Sequence, residues 1–339
     1  VSEAQGGSLP ETKESIRFNA PLQYTAQDRA VTTSDYETKV RSIYPNAQSV
    51  SAWGGEDDET PVYGIVKIAI KPTSGSSLTT QTKSDIVKQL KQYNVASVSP
   101  VIVDPEITSI VLNSTAKYDE RATTKDADTI KADVINSLGT YNISTLQRFD
   151  SMFRHSKVVK LIDDTDNSIL SNITTLKIRK SFIPTLNSSL KYSVFFRNAV
   201  YNPHTGHNST AGGVVTSSGF KVQGSNNEQL LDDDGMGNIR RYYLSGATRV
   251  YTNSTQGTID YTTGEITINS LQITEISNIR GSASTVIELT VQPASNDIVP
   301  VRDQILELDI PNSTIAVQKD SFVGGSSDAG VGYTTTSAY

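Results

Sequence analysis

Three short stretches, taken in order, decide the fold expected for this chain. They are Arg29–Tyr36 (RAVTTSDY), Ala52–Glu56 (AWGGE) and Tyr63–Pro72 (YGIVKIAIKP). The first contains a helix start signal, because Ser34 and Glu37 have the spacing of a capping box. The second predicts a turn, and the third has the apolar character of a strand. A helix, a turn and a strand in close succession predict an α+β fold.

The helix predicted from Ser34 has a clear apolar stripe. Tyr36, Val40 and Ile43 recur at helical spacing, and Pro45 ends the pattern. A shorter helix is expected over residues 10–17, after a flexible lead-in at the start of the chain. Residues 1–60 are therefore predicted to be a flexible lead-in followed by a helical segment.

The strand before Pro72 is predicted to be central in its sheet, because both of its faces are partly apolar. We expect Gly54 and Gly55 to turn the chain with positive φ before this strand begins. Trp53, the only tryptophan, has two interpretations. It is either an anchor in an interface, where tryptophan is enriched, or a core residue beneath the turn.

Residues 61–183 alternate between strand and helix patterns. Strands are expected at 62–70, 98–103, 108–116 and 176–182, and helices around 86–93 and 130–138, the second capped by Gly139. A third short helix is expected at 149–153. The order β-α-β-β-α-β is that of a ferredoxin-like split βαβ unit, which we expect here.

After Pro184 the helical period ends. Strands are predicted at 190–196, 213–222, 240–251, 257–261, 265–269, 285–291 and 305–310. A hairpin is expected with Gly264 in the left-handed conformation. Residues 184–320 are thus predicted to form an antiparallel β domain, and residues 321–339, rich in Gly, Ser and Thr, a flexible tail.

Composition limits the classes of function. The 339 residues carry a formal net charge of −6, which disfavours broad contact with the phosphates of nucleic acid. There are no cysteines, which excludes disulfides and thiolate chemistry. No apolar run reaches the roughly 18 residues of a membrane helix. The chain begins at Val1 without a signal peptide, and we expect it to be a piece of a longer protein.

The three opening stretches together carry a resemblance to a known family. Ala30-Val31-Thr32, then Asp35-Tyr36, then Gly54-Gly55-Glu56, and then the Gly-x-Val-x-Ile-x-Ile-x-Pro pattern of the central strand follow in the order of that family. The chain resembles the baseplate wedge proteins of contractile-tailed, T-even-type phages, the baseplate J-like family. The motif residues are Ser34, Glu37, Trp53, Gly54, Gly55, Gly64 and Pro72.

The resemblance implies a structural protein of the virion and not an enzyme. It implies a wedge subunit, made late in infection, that self-associates as a homodimer and in a ring around the hub. It also implies binding to other wedge and hub proteins, assembly in the host cytoplasm, and a change of baseplate shape when the sheath contracts. The family brings no catalytic, cofactor-binding or metal-binding residues.

The residues that could carry chemistry are few. His204 and His207 could bind a metal, but a site needs further ligands, and we interpret them as part of a loop. The run Asp232–Asp234 lacks calcium-loop spacing, since Met236 stands where an oxygen ligand belongs, and is interpreted as a solvated turn. Glu56–Glu59 is also interpreted as a solvated loop, and His155 has no partner that the sequence identifies.

Two other classes of function stay open from the sequence. A tail or surface adhesin would bind a host-envelope glycan through its β domain, and exposed aromatic residues on one sheet face would favour it. A polysaccharide-degrading enzyme would need a pair of carboxylates in a groove.

Overall fold

A computed structural model describes residues 13–58, 61–95, 97–202 and 213–320 of the chain. Its helices are α1 Lys13–Ala26, α2 Thr33–Ile43, α3 Thr80–Leu90, α4 Ala127–Tyr141 and α5 His155–Asp163, with 3₁₀ turns at Gly55–Asp57 and Ile310–Asn312 and a π-helical turn at Asn142–Leu146.

The described strands are β1 Ala47–Gly54, β2 Ile65–Pro72, β3 Ser99–Val103, β4 Glu106–Tyr118, β5 Ile169–Phe182, β6 Ser189–Phe195, β7 Thr216–Ser217, β8 Phe220–Val222, β9 Leu230–Asp233, β10 Asn238–Ser245, β11 Thr248–Asp260, β12 Glu265–Ile276, β13 Ile287–Val291, β14 Gln304–Leu308 and β15 Thr314–Lys319. They form three sheets in the order β1-β2-β3, β6-β12-β11-β10-β9 with β8 on β12, and β14-β4-β5-β13-β7 with β15 on β4.

The chain divides into two units. Among the residues that the structure describes, those within 1–108, 145–153 and 299–307 form unit 1, and the others form unit 2. In unit 1, β2 is the central strand of the three-stranded sheet, as the sequence predicts, antiparallel to β1 and parallel to β3. The parallel pair is connected through α3, which makes a βαβ unit.

The core of unit 1 packs α2 and α3 against one face of this sheet. Its buried members are Ala30, Tyr36, Val40, Val50, Ile68, Ile70, Ile86 and Leu90. Each large side chain in this set contributes about 1.5–3 kcal/mol by leaving water. On the opposite face of β2, Ala69 is also buried.

In unit 2, α4 and α5 lie beside the sheet that contains β4 and β5. Ile130, Val134 and Leu138 are the buried residues of α4, as their i, i+4, i+8 spacing predicts. The predicted inward face of β4 is confirmed as well, because residues 108, 110, 112, 114 and 116 are all buried. Gly139 does not cap α4, which continues to Tyr141 and then into the π-helical turn.

Two predicted elements beyond α4 are wrong. Residues 149–153 are not helical, and the helix of this region is α5. The single strand predicted at 240–251 is two strands, β10 and β11, joined by a turn at Gly246. The hairpin with Gly264 at φ +72° is as predicted, with Asp260 opposite Glu265.

The sheets do not follow the predicted division at residue 183. β7, β13, β14 and β15 belong to the sheet of β4 and β5, and β15 is parallel to β4. The predicted order β-α-β-β-α-β is present, but β2 and β3 lie in one sheet and β4 and β5 in another. The ferredoxin-like unit is therefore supported only by the order of its elements, and it stays a prediction. The domain boundaries at residues 60, 183 and 320 also stay predictions.

Candidate assembly site

Trp53 lies at the end of β1 in unit 1 and is a core residue. It is 7% exposed and packs with Ala69, Phe149 and Ile305. Its indole Nε1 donates a hydrogen bond to Asp58 Oδ1 at 2.9 Å. A buried tryptophan normally needs such a partner, so the indole ties the loop after β1 to the core.

Asp58 holds this loop between two partners. Lys67, which is opposite Trp53 in the β1–β2 register, forms an ion pair with it. The hydrogen bond from Lys67 is the main cause that lowers the pKa of Asp58, and the indole of Trp53 adds to the effect. The interpretation of Glu56–Glu59 as wholly solvated is therefore wrong at Asp58. Glu56 and Asp57 are exposed, and Glu59 lies outside the described residues.

The prediction that Gly54 and Gly55 have positive φ is wrong. Gly54 has φ −70°, and Gly55 is absent from the left-handed region. Gly55 is required for space instead. A Cβ on it would lie 2.9 Å from Ile65 Cδ1 and closer still to the carbonyl oxygen of Val62. That carbonyl is so near because Val62 N donates to Gly55 O at 2.9 Å and closes the loop.

Gly64 supplies the positive φ that the turn needs. It has φ +77°, a conformation in which glycine carries no steric cost, immediately before β2 begins. Its carbonyl accepts a hydrogen bond from Ser99 N at 2.9 Å, which fixes the turn to the start of β3. Pro72, the last residue of β2, lies opposite Ala47 at the other end of the hairpin.

The predicted cap of α2 is wrong by two residues. The N-cap is Thr32, whose hydroxyl accepts from Asp35 N, and the Asp35 carboxylate accepts from Thr32 N at 2.8 Å and from Val31 N at 3.1 Å. This arrangement satisfies three backbone donors, and Ser34 falls inside the helix. Glu37 reaches β1 instead, where its carboxylate accepts from Ala52 N at 3.1 Å, and its burial raises its pKa.

The predicted motif residues therefore lie within unit 1, and three of them, Trp53, Gly55 and Gly64, hold the loop between β1 and β2. The same loop exposes two apolar side chains, Val62 at 45% and Tyr63 at 81%. The sequence places both in the strand predicted at 62–70, which is wrong there because β2 begins at Ile65. The sequence contains a signal for this exposure. The two residues stand between Pro61 and Gly64, next to four acids, and apolar residues in an acidic turn are not expected to be buried.

A second cluster of charges lies in unit 2, on β9, β10 and β11. Asp232 is 1% exposed and accepts from Arg240 Nε at 2.9 Å, from Arg249 Nη1 at 2.7 Å and from the Tyr251 hydroxyl at 2.9 Å. The side chains of Arg240 and Arg249 stack on the rings of Tyr251 and Tyr242. These contacts balance the charge of a buried carboxylate.

Asp233 is buried beside this cluster and is also satisfied. It accepts from Val215 N at 2.9 Å and from the Tyr261 hydroxyl at 2.6 Å, and burial with this bond raises the pKa of Tyr261. The solvated turn predicted at Asp232–Asp234 is therefore wrong for its first two residues. Their counter-charges come from neighbouring strands, which sequence order alone does not bring together.

The remaining candidates are the three histidines. Among the described residues they take part in no catalytic arrangement. His155 begins α5, where its Nε2 lies 2.9 Å from Thr174 O and its backbone N donates to Asp297. His204 and His207 lie outside the described residues. Within the described ranges no group of three His, Asp or Glu side chains could hold a metal ion. No helix there is long and apolar enough to span a membrane.

The polar groups described above hold loops and strands of the fold in place. Two family profiles then match the sequence. Residues 32–103 match baseplate structural protein gp6, C-terminal domain I, and residues 106–181 match C-terminal domain III of the same protein. The first match runs from the cap of α2 to the end of β3, and the second from the start of β4 into β5.

Individual relatives agree with these matches. The chain is 30% identical over 194 residues to baseplate wedge protein gp6 of Enterobacteria phage T4. The aligned region covers 56% of this chain and 29% of that protein. The chain thus spans less than a third of this curated relative. A chain of the anti-feeding prophage baseplate, six-fold symmetrised, shares 16% identity and a TM-score of 0.37 over 50% of this chain and 38% of its own length, a likeness too low to carry an argument. The sequence matches support a baseplate wedge protein with a structural role.

Proposed function

We propose that this chain is a structural subunit of the baseplate wedge of a contractile phage tail, and belongs to the baseplate J-like family. The observation that carries the proposal is the pair of consecutive matches to two domains of one baseplate structural protein. The first match ends where β3 ends, and the second begins where β4 begins and stops one residue before the end of β5. In this proposal the chain resides in the virion, after assembly in the host cytoplasm.

The subunit self-associates, first as a two-fold dimer and then in a ring around the hub, and binds other wedge proteins. A closed ring needs at least two different contact surfaces on each subunit. A chain built of two units can change shape when the ring changes diameter as the sheath contracts. Sedimentation of the chain at about 10 μM, a concentration at which specific contacts of micromolar affinity are populated, is expected to show a dimer. A clean monomer would contradict this step.

The chain has no hydrolytic activity in this proposal. The buried carboxylates of unit 2 support it, because Asp232 is neutralised by two guanidinium groups and Asp233 accepts from an amide and a phenol. Both carboxylates are buried and bound within the protein, so neither is presented to a substrate. Incubation with host-envelope glycans is expected to give no turnover. Turnover that scales with protein, and disappears on changing one acidic pair, would contradict it.

Glycan binding by a tail adhesin is the second candidate, and one cavity favours it. It lies in unit 2, has a volume of about 770 Å³, and is lined by Tyr201, Asn202, Met236 and Tyr261 among others. Aromatic faces beside an amide are suited to a sugar ring. The two candidates differ in a simple measurement: an adhesin would bind purified cell envelopes, and the wedge subunit would not.

The experiment that tests the main proposal is the composition of purified tails. Quantitative mass spectrometry of isolated baseplates is expected to find the chain at a fixed ratio to the other wedge components. Its absence from baseplates would overturn the proposal.

A further inference from the structure

Among the described residues of the loop between β1 and β2 in unit 1, Val62 and Tyr63 form an exposed apolar tip. Tyr63 is 81% exposed and Val62 45%, and neither belongs to the apolar core clusters of the unit. We propose that this tip is a docking surface that enters an apolar pocket with a basic rim on a neighbouring protein of the baseplate. The proposal rests on the proposed function and specifies the chemistry of one partner.

The base of the loop is held by contacts on both sides of the tip. Asp58 is bound to Trp53 and Lys67, and Arg302 donates to Asp57 O. The hydrogen bond from Val62 N closes the loop onto Gly55 O. Gly64 O accepts from Ser99 N on the other side. A side chain whose neighbouring backbone is held by hydrogen bonds loses less entropy on binding than one on an unheld loop, which suits an anchor.

The charge of the loop identifies the kind of partner. Residues 55–64 contain four acids, Glu56 to Glu59, and no lysine or arginine. Lys67 and Arg302 offset part of this charge, and Glu56 and Asp57 stay exposed. An acidic loop is repelled by nucleic acid and by anionic lipid. A protein pocket rimmed by Lys or Arg matches both the apolar tip and the acids around it.

Tyrosine is among the residues most enriched at the energetic centres of interfaces. The test therefore changes the tip without changing its base. In Tyr63→Ser the loop contacts are kept, so the melting temperature is expected to equal that of the parent. Incorporation into baseplates is expected to fall about ten-fold or more, the loss typical of an interface anchor. The matched control is Tyr24→Ser on α1, which removes an equally exposed tyrosine.

The charge is tested separately, with the double variant Glu56→Gln, Asp57→Asn. It is expected to slow incorporation at low salt, and the difference is expected to disappear near 1 M salt, where charges are screened within about 3 Å. A photoreactive phenylalanine analogue at position 63 is expected to cross-link to a baseplate protein, within a peptide that has apolar residues flanked by Lys or Arg.

The outcomes separate the two proposals. If the parent chain is absent from baseplates, the proposed function fails and the docking proposal fails with it. If the parent enters baseplates and Tyr63→Ser enters equally well, only the docking proposal fails. Equal losses in Tyr63→Ser and Tyr24→Ser, or a cross-link to lipid or to an acidic peptide, would also overturn it.

Discussion

Replacing Gly55 with valine is expected to destabilise unit 1 for a reason of space. A Cβ at this position would lie 2.9 Å from Ile65 Cδ1 and nearer still to the Val62 carbonyl oxygen, whereas ordinary contacts of a Cβ begin near 3.4 Å. The backbone oxygen cannot rotate away as a side chain can. The loop must therefore move, and the hydrogen bond from Val62 N to Gly55 O must lengthen or break.

The expected size follows from these two effects. Overpacking of a tight site costs about 1–3 kcal/mol. A lost backbone hydrogen bond adds about 1 kcal/mol. We therefore expect Gly55→Val to lower the free energy of unfolding by about 2–4 kcal/mol, and Gly55→Ala to lower it less, because alanine adds one atom and valine three.

The chain contains its own reporter for this measurement. Trp53 is the only tryptophan, and it packs in the core beside the altered loop. Urea unfolding followed by its fluorescence therefore reports on unit 1. The matched control is the pair Glu56→Gln and Asp57→Asn, exposed residues of the same loop whose change is expected to alter stability by less than about 0.5 kcal/mol. If Gly55→Val and the parent unfold at the same midpoint urea concentration, the steric argument is wrong.

Three further predictions concern unit 2. Gly139→Ala is expected to raise stability by about 0.5–1 kcal/mol, measured by circular dichroism, because the residue is inside a helix and its Cβ would meet only one side-chain atom, at 3.8 Å; a loss of stability would contradict this. Asp232→Ala is expected to cost about 3–5 kcal/mol in urea unfolding, since it leaves two arginines without their buried counter-charge, and a neutral result would show that the cluster is dispensable. The pKa of Asp166 is lowered to about 2 by Lys125 and by Ser168, so its contribution to stability is complete above the ordinary pKa near 3.8 and is lost as pH falls towards 2. Asp166→Asn is expected to flatten the acid limb of the stability profile, and an unchanged limb would contradict the assignment.

Much of the fold could be predicted from periodicity. The inward stripe of α4 and the inward face of β4 follow from spacings of four and two residues, and a strand with two apolar faces had to be central. These patterns report burial directly. Periodicity does not report which strands share a sheet. The sequence therefore places β13 and β14 in the predicted β domain, although they belong to the sheet of β4 and β5.

The site was harder to predict than the fold, because its physical causes lie between distant residues. The sequence identified Gly55 as important but assigned it a backbone conformation, and only the positions of Val62 and Ile65 show that the cause is space. Likewise, the sequence predicts the N-cap of α2 at Ser34, whereas Thr32 and Asp35 form the cap and satisfy three backbone donors. The buried state of Asp232 depends on arginines from two other strands.

The central claim is that the chain is a structural subunit of the baseplate, and its place in the tail tests this most directly. A reconstruction of purified tails, with the chain carrying a small fused tag at its C-terminus, would locate every copy. The account predicts several copies arranged around the hub, each with extra density at the same position of the wedge. Tag density only at the fibre tips, or no density in the baseplate, would contradict it.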